Sequence, residues 1–148
     1  MITKAIAKYL GDQIADLTYS IGADTGNVFR NRFPSVAERS IAVIGTGGLP
    51  EPTTSPTNLP TIQVIVRGDV DDLDSAEELA YEVIDQLTCL DSVWLDQGGA
   101  DEVWLIGCTA IQTDPIPLGL DDVTRCYEFS TNFQLRTHNP TTHRPAGV

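Results

Sequence analysis

The chain has 148 residues, of which 41% are hydrophobic, and this predicts one globular domain that buries most of its apolar surface. Nine basic and 21 acidic residues give a net charge of −12, which argues against direct nucleic-acid binding, because such surfaces cluster Lys and Arg against phosphates. No apolar run approaches the ~20 residues that cross a bilayer, and the N-terminus has no signal-peptide pattern, so we expect cytoplasmic synthesis and no membrane partner.

The N-terminal part of the chain predicts one helix and two strands. Residues 2–18 place apolar side chains at helical spacing along one stripe. Residues 27–33 predict a short strand with Phe29 and Phe33 directed inward. Residues 39–45, RSIAVIG, are a candidate for a second strand.

Residues 45–60 form the least regular segment, with three glycines and four prolines. Proline fixes φ and removes a backbone donor, so this composition predicts neither a helix nor a central strand. A loop of this length is unusual in a compact domain, and such loops often order on contact with a partner. Two interpretations of this segment stay open: a surface loop without a role, and an arm that binds a partner. If it is a partner-binding arm, Pro50, Pro52 and Pro56 are candidate interface residues.

A strand and a helix follow the proline-rich segment. Residues 61–67 place Ile62, Val64 and Val66 on one face, which predicts a strand with that face buried. Residues 75–87 have an apolar stripe at helical spacing. Asp74 precedes this stripe and Glu77 follows three residues later, so the pair predicts a capping box with Asp74 as the N-cap.

Two similar pieces, SVWLD at 92–96 and EVWLI at 102–106, flank the glycine-containing segment QGGAD. Apolar runs on either side of a glycine turn predict a β-hairpin. We expect Trp94 and Trp104 to pack against each other across that hairpin, in the core or at an interface.

The C-terminal part predicts a proline-punctuated turn at 114–122 and then the longest strand of the chain, which ends near residue 137. Alternation with a period of two predicts one buried face. That face comprises Val123, Tyr127, Phe129, Phe133 and Leu135. Residues 138–148 are predicted to be a flexible tail, which leaves a single domain over residues 1–137.

The predicted elements follow the order α-β-β-loop-β-α-β-β-β. Two helices and about six strands, with few strand–helix alternations, favour an α+β fold. We expect a mixed, mostly antiparallel sheet with both helices packed on one face and a long C-terminal strand.

Three patterns that suggest chemistry are incomplete. GTGG at 45–48 follows a strand, but it lacks the third glycine and the helix of a dinucleotide site. Residues 69–78 are acidic but do not have the ligand spacing of a calcium loop. The only histidines, His138 and His143, lie in the predicted tail, and no CxxC pair favours zinc. We therefore expect no catalytic residue, no metal and no cofactor.

Three segments between residues 59 and 135 carry a more specific pattern. They are LPTIQVIVRGD at 59–69, the helix SAEELAYEVIDQL at 75–87, and IQTDPIPLGLDDVTRCYEFSTNFQL at 111–135. In their order and spacing they resemble the tail terminator family of long-tailed bacteriophages, sometimes labelled minor capsid proteins. The chain departs from the family pattern at 121–123, where a glycine is expected before Arg125.

The resemblance implies a structural virion protein rather than an enzyme, made in the host cytoplasm and located in the tail-neck region. Its α+β protomers would form a hexameric ring that caps the completed tail tube, ends tube growth and joins the tail to the head. Its partners would be its own copies, the tail tube protein and a head-completion or connector protein. Carried over by position, the family motifs supply further candidate interface residues: Arg67, Asp69, Asp121, Asp122 and Arg125.

Two alternatives stay open at this point. A head-completion or connector protein of the neck would also be small, acidic and ring-forming. A small soluble ligand-binding protein or hydrolase would need a rigid group of side chains with perturbed pKa values. The acidity of the chain fits a ring through which genome DNA passes without specific binding, so we expect the side chains that line the lumen to be acidic or neutral.

Overall fold

The computed structural model describes residues 2–20, 26–49 and 56–138. This part of the chain forms two helices and seven strands, one strand more than predicted. In chain order they are α1 (Ile2–Gln13), β1 (Val28–Arg30), β2 (Ser40–Leu49), β3 (Thr57–Val70), α2 (Leu73–Thr88), β4 (Asp91–Leu95), β5 (Val103–Ala110), β6 (Ile116–Leu120) and β7 (Cys126–His138). The fold is the predicted α+β class. Neither helix is long and apolar enough to span a membrane.

All seven strands belong to one sheet in the order β1-β2-β3-β7-β5-β4, with β6 also paired to β7. Only β1 and β2 run parallel; the other described pairs are antiparallel. β7 is central because β3 pairs with it along its whole length, from Thr57 opposite His138 to Val70 opposite Cys126. The other edge of β7 is divided between β6 and β5.

Both helices pack on the same face of the sheet, as predicted. The register places Ile62 opposite Phe133 and Val66 opposite Phe129, and these side chains point toward the helices into one hydrophobic core. Each such buried side chain contributes on the order of 1.5–3 kcal/mol of transfer free energy. The alternation that predicted a buried face for the strand over 61–67 is confirmed.

The N-cap of α2 is Asp72 rather than the predicted Asp74. Asp72 has extended dihedral angles, and its carboxylate accepts a hydrogen bond from Ser75 N at 3.1 Å. Asp74 lies inside the first turn, where its charge complements the helix dipole. The helix packs so closely on β3 that a Cβ at Gly68 would lie 2.5 Å from Ala76 N, so this position requires glycine.

Residues 45–60 were predicted to contain neither a helix nor a central strand, and the strand part of this prediction is wrong, because both ends of the segment belong to strands of the sheet. β2 continues to Leu49, β3 begins at Thr57, and Gly48 pairs with Pro60. The register shifts between Gly45 and Gly48, where positive φ angles at Gly47 and Gly48 accommodate the irregularity. Antiparallel pairing therefore tolerates the proline. Pro56 lies just before β3, whereas the candidate residues Pro50 and Pro52 lie outside the described residues.

The predicted turn at 114–122 contains strand β6, and β7 starts at Cys126, later than predicted. Val123 was expected to be buried, but it lies in the turn between these strands and is 79% exposed. Phe129, Phe133 and Leu135 are buried as predicted. β7 includes His138, the first residue of the predicted tail, and residues 139–148 lie outside the described part.

Two N-terminal elements are shorter than predicted. α1 ends at Gln13, and Asp16 has a φ of 68°, which no α-helix accommodates. Ile14 and Leu17 remain buried, so the apolar periodicity predicted their burial correctly although the helix had ended. β1 covers only residues 28–30, and Phe33 lies beyond it.

The predicted hairpin is confirmed. β4 and β5 pair antiparallel, with Trp94 directly opposite Trp104 and their rings 5.2 Å apart between centroids in an edge-on arrangement. Trp94 remains 46% exposed at the edge of the sheet.

Candidate assembly surfaces

The sheet face opposite the helices is partly covered by residues 31–39, and Arg67 on β3 holds this segment in place. Arg67 Nη1 donates to the carbonyl oxygens of Pro34 at 2.6 Å and Val36 at 3.0 Å. Its Nη2 donates to Glu128 Oε2 at 3.1 Å, in a cross-strand ion pair. Only 3% of Arg67 is exposed, so its charge is used within the protomer.

This arrangement changes the meaning of the Arg-Gly motif at 67–68. Both residues of this motif lie within β3. The Arg67 guanidinium also lies 3.9 Å from the ring centroid of Phe33, a close cation–π contact. Phe33, expected to face the core beneath the helices, instead packs on the opposite face of the sheet.

The turn between β6 and β7 is organised by Asp121. Its carboxylate accepts hydrogen bonds from Val123 N and Thr124 Oγ1, both at 3.1 Å. Its carbonyl oxygen accepts from Arg125 N at 2.8 Å. Arg125 has a φ of 61°, the left-handed conformation that glycine adopts most easily. Asp122 lies at the exposed tip of this turn.

The structure brings this turn beside the loop that follows β3. Asp71 N donates to the Arg125 carbonyl oxygen at 2.7 Å, and Arg125 Nη2 donates to Asp71 Oδ1 at 3.1 Å. The two side chains are 57% and 58% exposed. Asp69 is bonded to Ser75, both through its backbone N–H and through its carboxylate. Four of the five motif-derived candidates thus cluster at one end of the sheet, and Arg67 lies beneath them.

One side of the protomer is formed by β6 and the residues that flank it. We call it the β6 side and define it by Asp114, Ile116, Leu118, Asp122 and Val123. Its three apolar side chains are all exposed, with Leu118 at 52%. β6 also contains Pro117 and a register shift between Pro117 and Gly119. Both features discourage a further strand from pairing with its open edge. The sequence interpretation missed this surface because it treated the segment as a turn.

The opposite edge of the sheet, which we call the β1 side, is defined by Arg30, Arg32 and the edge of β2 from Thr46 to Leu49. β1 pairs only with residues 41–43 of β2. Arg30 Nη1 is buried and has no hydrogen-bond partner within the described residues. Arg32 is exposed, and its guanidinium lies 5.7 Å from the Phe29 ring centroid.

Charge is distributed unevenly along the chain. Residues 68–124 include 15 acidic residues and no Lys, Arg or His. The remainder contains all nine Lys and Arg residues and six acidic ones. The β6 side belongs to the first group and the β1 side to the second. The two edges of the sheet therefore differ in sign.

A network of ion pairs fastens α1 to the β4–β5 turn. Lys8 Nζ lies 3.0 Å from Asp96 Oδ2 and 3.2 Å from Asp101 Oδ2, and Lys4 lies 3.4 Å from Asp101. The hydrogen bond from Lys8 lowers the pKa of Asp96. Burial raises the pKa of Asp101, but hydrogen bonds from Lys8 and Lys4 outweigh it and keep this pKa below its usual value. The Asp96 hydrogen bond raises the pKa of Lys8 in turn.

A cleft of about 480 Å³ lies between the start of α1, the β2–β3 hairpin and the β4–β5 turn. Both carboxylates in its lining have partners: Asp101 is paired with two lysines, and Glu102 accepts a hydrogen bond from Gly98 N at 3.2 Å. The described residues contain no group of three or more side chains suited to hold a metal ion. Burial raises the pKa of Cys108 to about 12, which disfavours its reactive thiolate form.

A family model described as "Bacteriophage tail terminator protein" matches residues 8–139. This range extends from α1 to just past the end of β7 and includes the three motif segments as well as both sides defined above. Comparison with curated proteins found no match.

Proposed function

The chain belongs to the bacteriophage tail terminator family, and we propose that it acts as a ring that caps the completed tail tube of a phage. The family match, which covers most of the chain, is the observation that carries this proposal. The protein is therefore a structural component of the virion tail. In the proposed role, the ring ends growth of the tube and makes the tail competent to join the head-neck.

We take the ring to be a homohexamer. A closed ring needs a heterologous interface, in which two different surfaces of each protomer meet. Two lateral surfaces with unlike side chains, at opposite edges of one sheet, suit such an interface. The candidate residues at the end of the sheet, Asp69, Asp121, Asp122 and Arg125, are then available to contact the next protomer or the tube.

The proposed partners are the tail tube protein on one face of the ring and a head-completion or connector protein on the other. Pro56 and the neighbouring Pro50 and Pro52 are retained as candidate contacts with one of these partners. The proposal does not assign either face.

Genome DNA has to pass through the lumen of such a ring without adhering to it. Six copies of a chain with net charge −12 carry a formal charge of −72. One charge pair at about 10 Å is worth only ~0.4 kcal/mol in water, and salt reduces this further, so repulsion depends on many charges acting together. The base-free stretch 68–124 supplies such charges, and we expect acidic or neutral side chains along the lumen.

Electron microscopy of lysates from a parent phage that lacks this gene tests the proposal. We expect overlong, unjoined tails beside DNA-filled heads, and normal particles when the wild-type gene is supplied from a plasmid. Tails of normal length beside leaking or empty heads would instead indicate a head-completion protein. Intact, infectious particles would show that the structural role is wrong.

A further inference from the structure

We propose that the open face of the sheet lines the lumen of the ring, so that genome DNA passes along it. The open face lies opposite the helices, and we define it by Thr61, Gln63, Ile65, Ser130, Asn132 and Gln134. The partner that this face fits is duplex DNA in transit. This inference rests on the proposed ring and specifies which surface forms its inner wall.

A ring that joins its protomers at the two edges of the sheet leaves the two faces of the sheet for its inside and its outside. One face is covered by both helices, and the exposed side of α2 carries acidic residues: Asp74, Glu77, Glu78 and Asp85. The other is the open face. The wall of the lumen is therefore formed either by acidic helices or by the open face.

The strand register identifies the side chains that share the open face. Ile62 and Val66 point toward the helices, so their neighbours along β3 point the other way. Three rows cross β3 and β7, at Thr61–Gln134, Gln63–Asn132 and Ile65–Ser130. β5 adds Thr109 to the first row, and β6 adds Ile116 to the third. None of these side chains is charged, although the chain has nine basic and 21 acidic residues.

The polar side chains of the open face bond to one another. The hydroxyl oxygens of Thr46 and Thr61 lie 2.6 Å apart in a hydrogen bond. Gln63 Nε2 donates to Ser130 Oγ at 2.8 Å, and Asn132 Nδ2 donates to the same oxygen at 3.2 Å. Affinity for DNA comes mainly from Lys and Arg side chains that neutralise phosphates and release counterions. Rows without such side chains let DNA slide along the wall without adhering to it.

Charged side chains bound the open face at its two ends. At one end Arg67 and Glu128 pair with each other, and residues 31–39 lie over them. At the other end β7 exposes Arg136. In the ring each Arg136 is separated from the next by a whole protomer, which is far more than the Debye length of about 8 Å at physiological salt. The rows between these two ends contain no charge that could hold a phosphate.

The open face is poorly suited to bind another protein. The centres of protein interfaces are enriched in aromatic, Met and Arg side chains. The three rows instead consist mostly of hydroxyl and amide side chains, and the aliphatic Ile44 and Ile65 on this face are partly buried. The exposed aliphatic side chains of Leu118 and Val123 lie on the β6 side. Protein contacts therefore belong to the edges and ends of the sheet.

The dimensions of the ring favour the same assignment. Five strands, β1, β2, β3, β7 and β6, lie between the two edges, so six protomers would place 30 strands around the lumen. At about 4.8 Å per strand, closure edge to edge gives a diameter of about 46 Å, and side chains that reach ~5 Å inward leave a bore of about 36 Å. An additional inner layer of helices, each ~10 Å wide, would leave only about 16 Å. That bore is too narrow for a DNA duplex.

DNA ejection from phage particles that carry lysines on the open face tests the inference. Gln63→Lys combined with Gln134→Lys adds two positive charges per protomer. We expect tails of normal length and joined heads, because assembly of the ring does not use this face. Receptor-triggered release of DNA, followed with a fluorescent DNA dye, is expected to slow at least about tenfold at low salt and to recover as the salt concentration rises, because the lysines bind phosphates.

Matched controls separate positive charge on the open face from other effects. Gln63→Glu with Gln134→Glu changes the same positions with the opposite sign. Glu78→Lys with Asp85→Lys places lysines on the exposed side of α2. Both pairs are expected to release DNA at the wild-type rate. If the open-face lysine pair lowers the melting temperature of the purified protein, Thr109→Lys takes its place, at an exposed position of the first row.

Three outcomes would overturn the inference. Release could slow with the lysines on α2, or it could stay unchanged with the lysines on the open face. Overlong or unjoined tails from a normally folded open-face variant would show that this face binds protein. Each differs from failure of the proposed function, in which deletion of the gene leaves tail length unchanged.

Discussion

Two arginines at the same end of the sheet differ in burial: Arg67 is buried and Arg125 is exposed. Arg67 is 3% exposed and binds two carbonyl oxygens and one carboxylate. Arg125 is more than half exposed and reaches one carboxylate, that of Asp71. Both arginines belong to motifs that contain a nearby glycine or aspartate, and the sequence analysis named both as candidate interface residues. Burial makes the difference between them. When a buried ion pair is broken, the remaining charge has no water to solvate it, whereas the remaining charge of an exposed pair is solvated.

The largest expected effect comes from Arg67. We expect Arg67→Ala to lower the free energy of unfolding by about 3 kcal/mol, because Glu128 and the carbonyl oxygens that hold residues 31–39 lose their donor. Urea denaturation measures this change. Glu128→Gln is the matched comparison, since it removes the counter-ion of Arg67 but keeps a side-chain oxygen acceptor and the two carbonyl oxygens, and a smaller loss than for Arg67→Ala is expected. A loss below 1 kcal/mol for Arg67→Ala would remove the distinction between the two arginines.

A smaller effect is expected at Arg125, where backbone strain rather than charge dominates. Arg125 has a positive φ, which costs a side chain about 1 kcal/mol relative to glycine. We expect Arg125→Gly to be more stable than Arg125→Ala by about that amount, although both lose the pair with Asp71. Equal thermal unfolding midpoints of the two variants would contradict this.

A third comparison concerns Asp72 and Asp74 at the start of α2, next to the loop that follows β3. Asp72→Ala removes the N-cap acceptor of Ser75 N and should cost about 1 kcal/mol of stability. Asp74→Ala removes an exposed acidic residue of the first turn and should cost no more than about 0.5 kcal/mol. Denaturation curves of the two variants measure which substitution costs more stability. A larger loss for Asp74→Ala than for Asp72→Ala would show that Asp74 is the N-cap, as the sequence predicted.

The smallest effect is expected for the partly buried ion pairs that Lys8 makes with Asp96 and Asp101. The pKa values of Asp96 and Asp101 are lowered in the folded protein, so their contribution is present above the unfolded value near 4 and is lost as the pH falls through the folded values. We expect the stability of Lys8→Met to fall less than that of the wild type as the pH is lowered, because the variant lacks these ion pairs at every pH. Melting temperatures between pH 7 and about pH 2.5 measure this. Parallel curves for the two proteins would show that the pairs contribute nothing.

Several features of the fold followed from local sequence pattern. The buried faces of β3 and β7, the paired tryptophans of the β4–β5 hairpin and the α+β class were all predicted correctly. Burial was predicted even where the element was not, as at Ile14 and Leu17. Apolar periodicity can predict burial correctly even where the helix boundary is wrong, because it indicates which side chains share a face. Packing in the core depends on that shared face more than on a continuous helix.

The candidate site was predicted less completely. Asp69, Asp121, Asp122 and Arg125 were identified from the motifs and do lie together, but the exposed apolar residues beside them were missed. β6 was mistaken for a turn because proline and glycine dominate its composition. It pairs with β7 nonetheless, because an edge strand needs donors on one side only and a register shift absorbs Pro117 and Gly119.

The sequence by itself determined the membership of the family, the acidity of residues 68–124 and the alternation of the long strands, since each is a property of residue order or count. Only the tertiary structure decided that Arg67 is an internal anchor and that Asp71 meets Arg125. The residues in these contacts are separated by 31 to 61 positions along the chain. Burial and pairing over such distances depend on how the sheet assembles, and no local pattern encodes that.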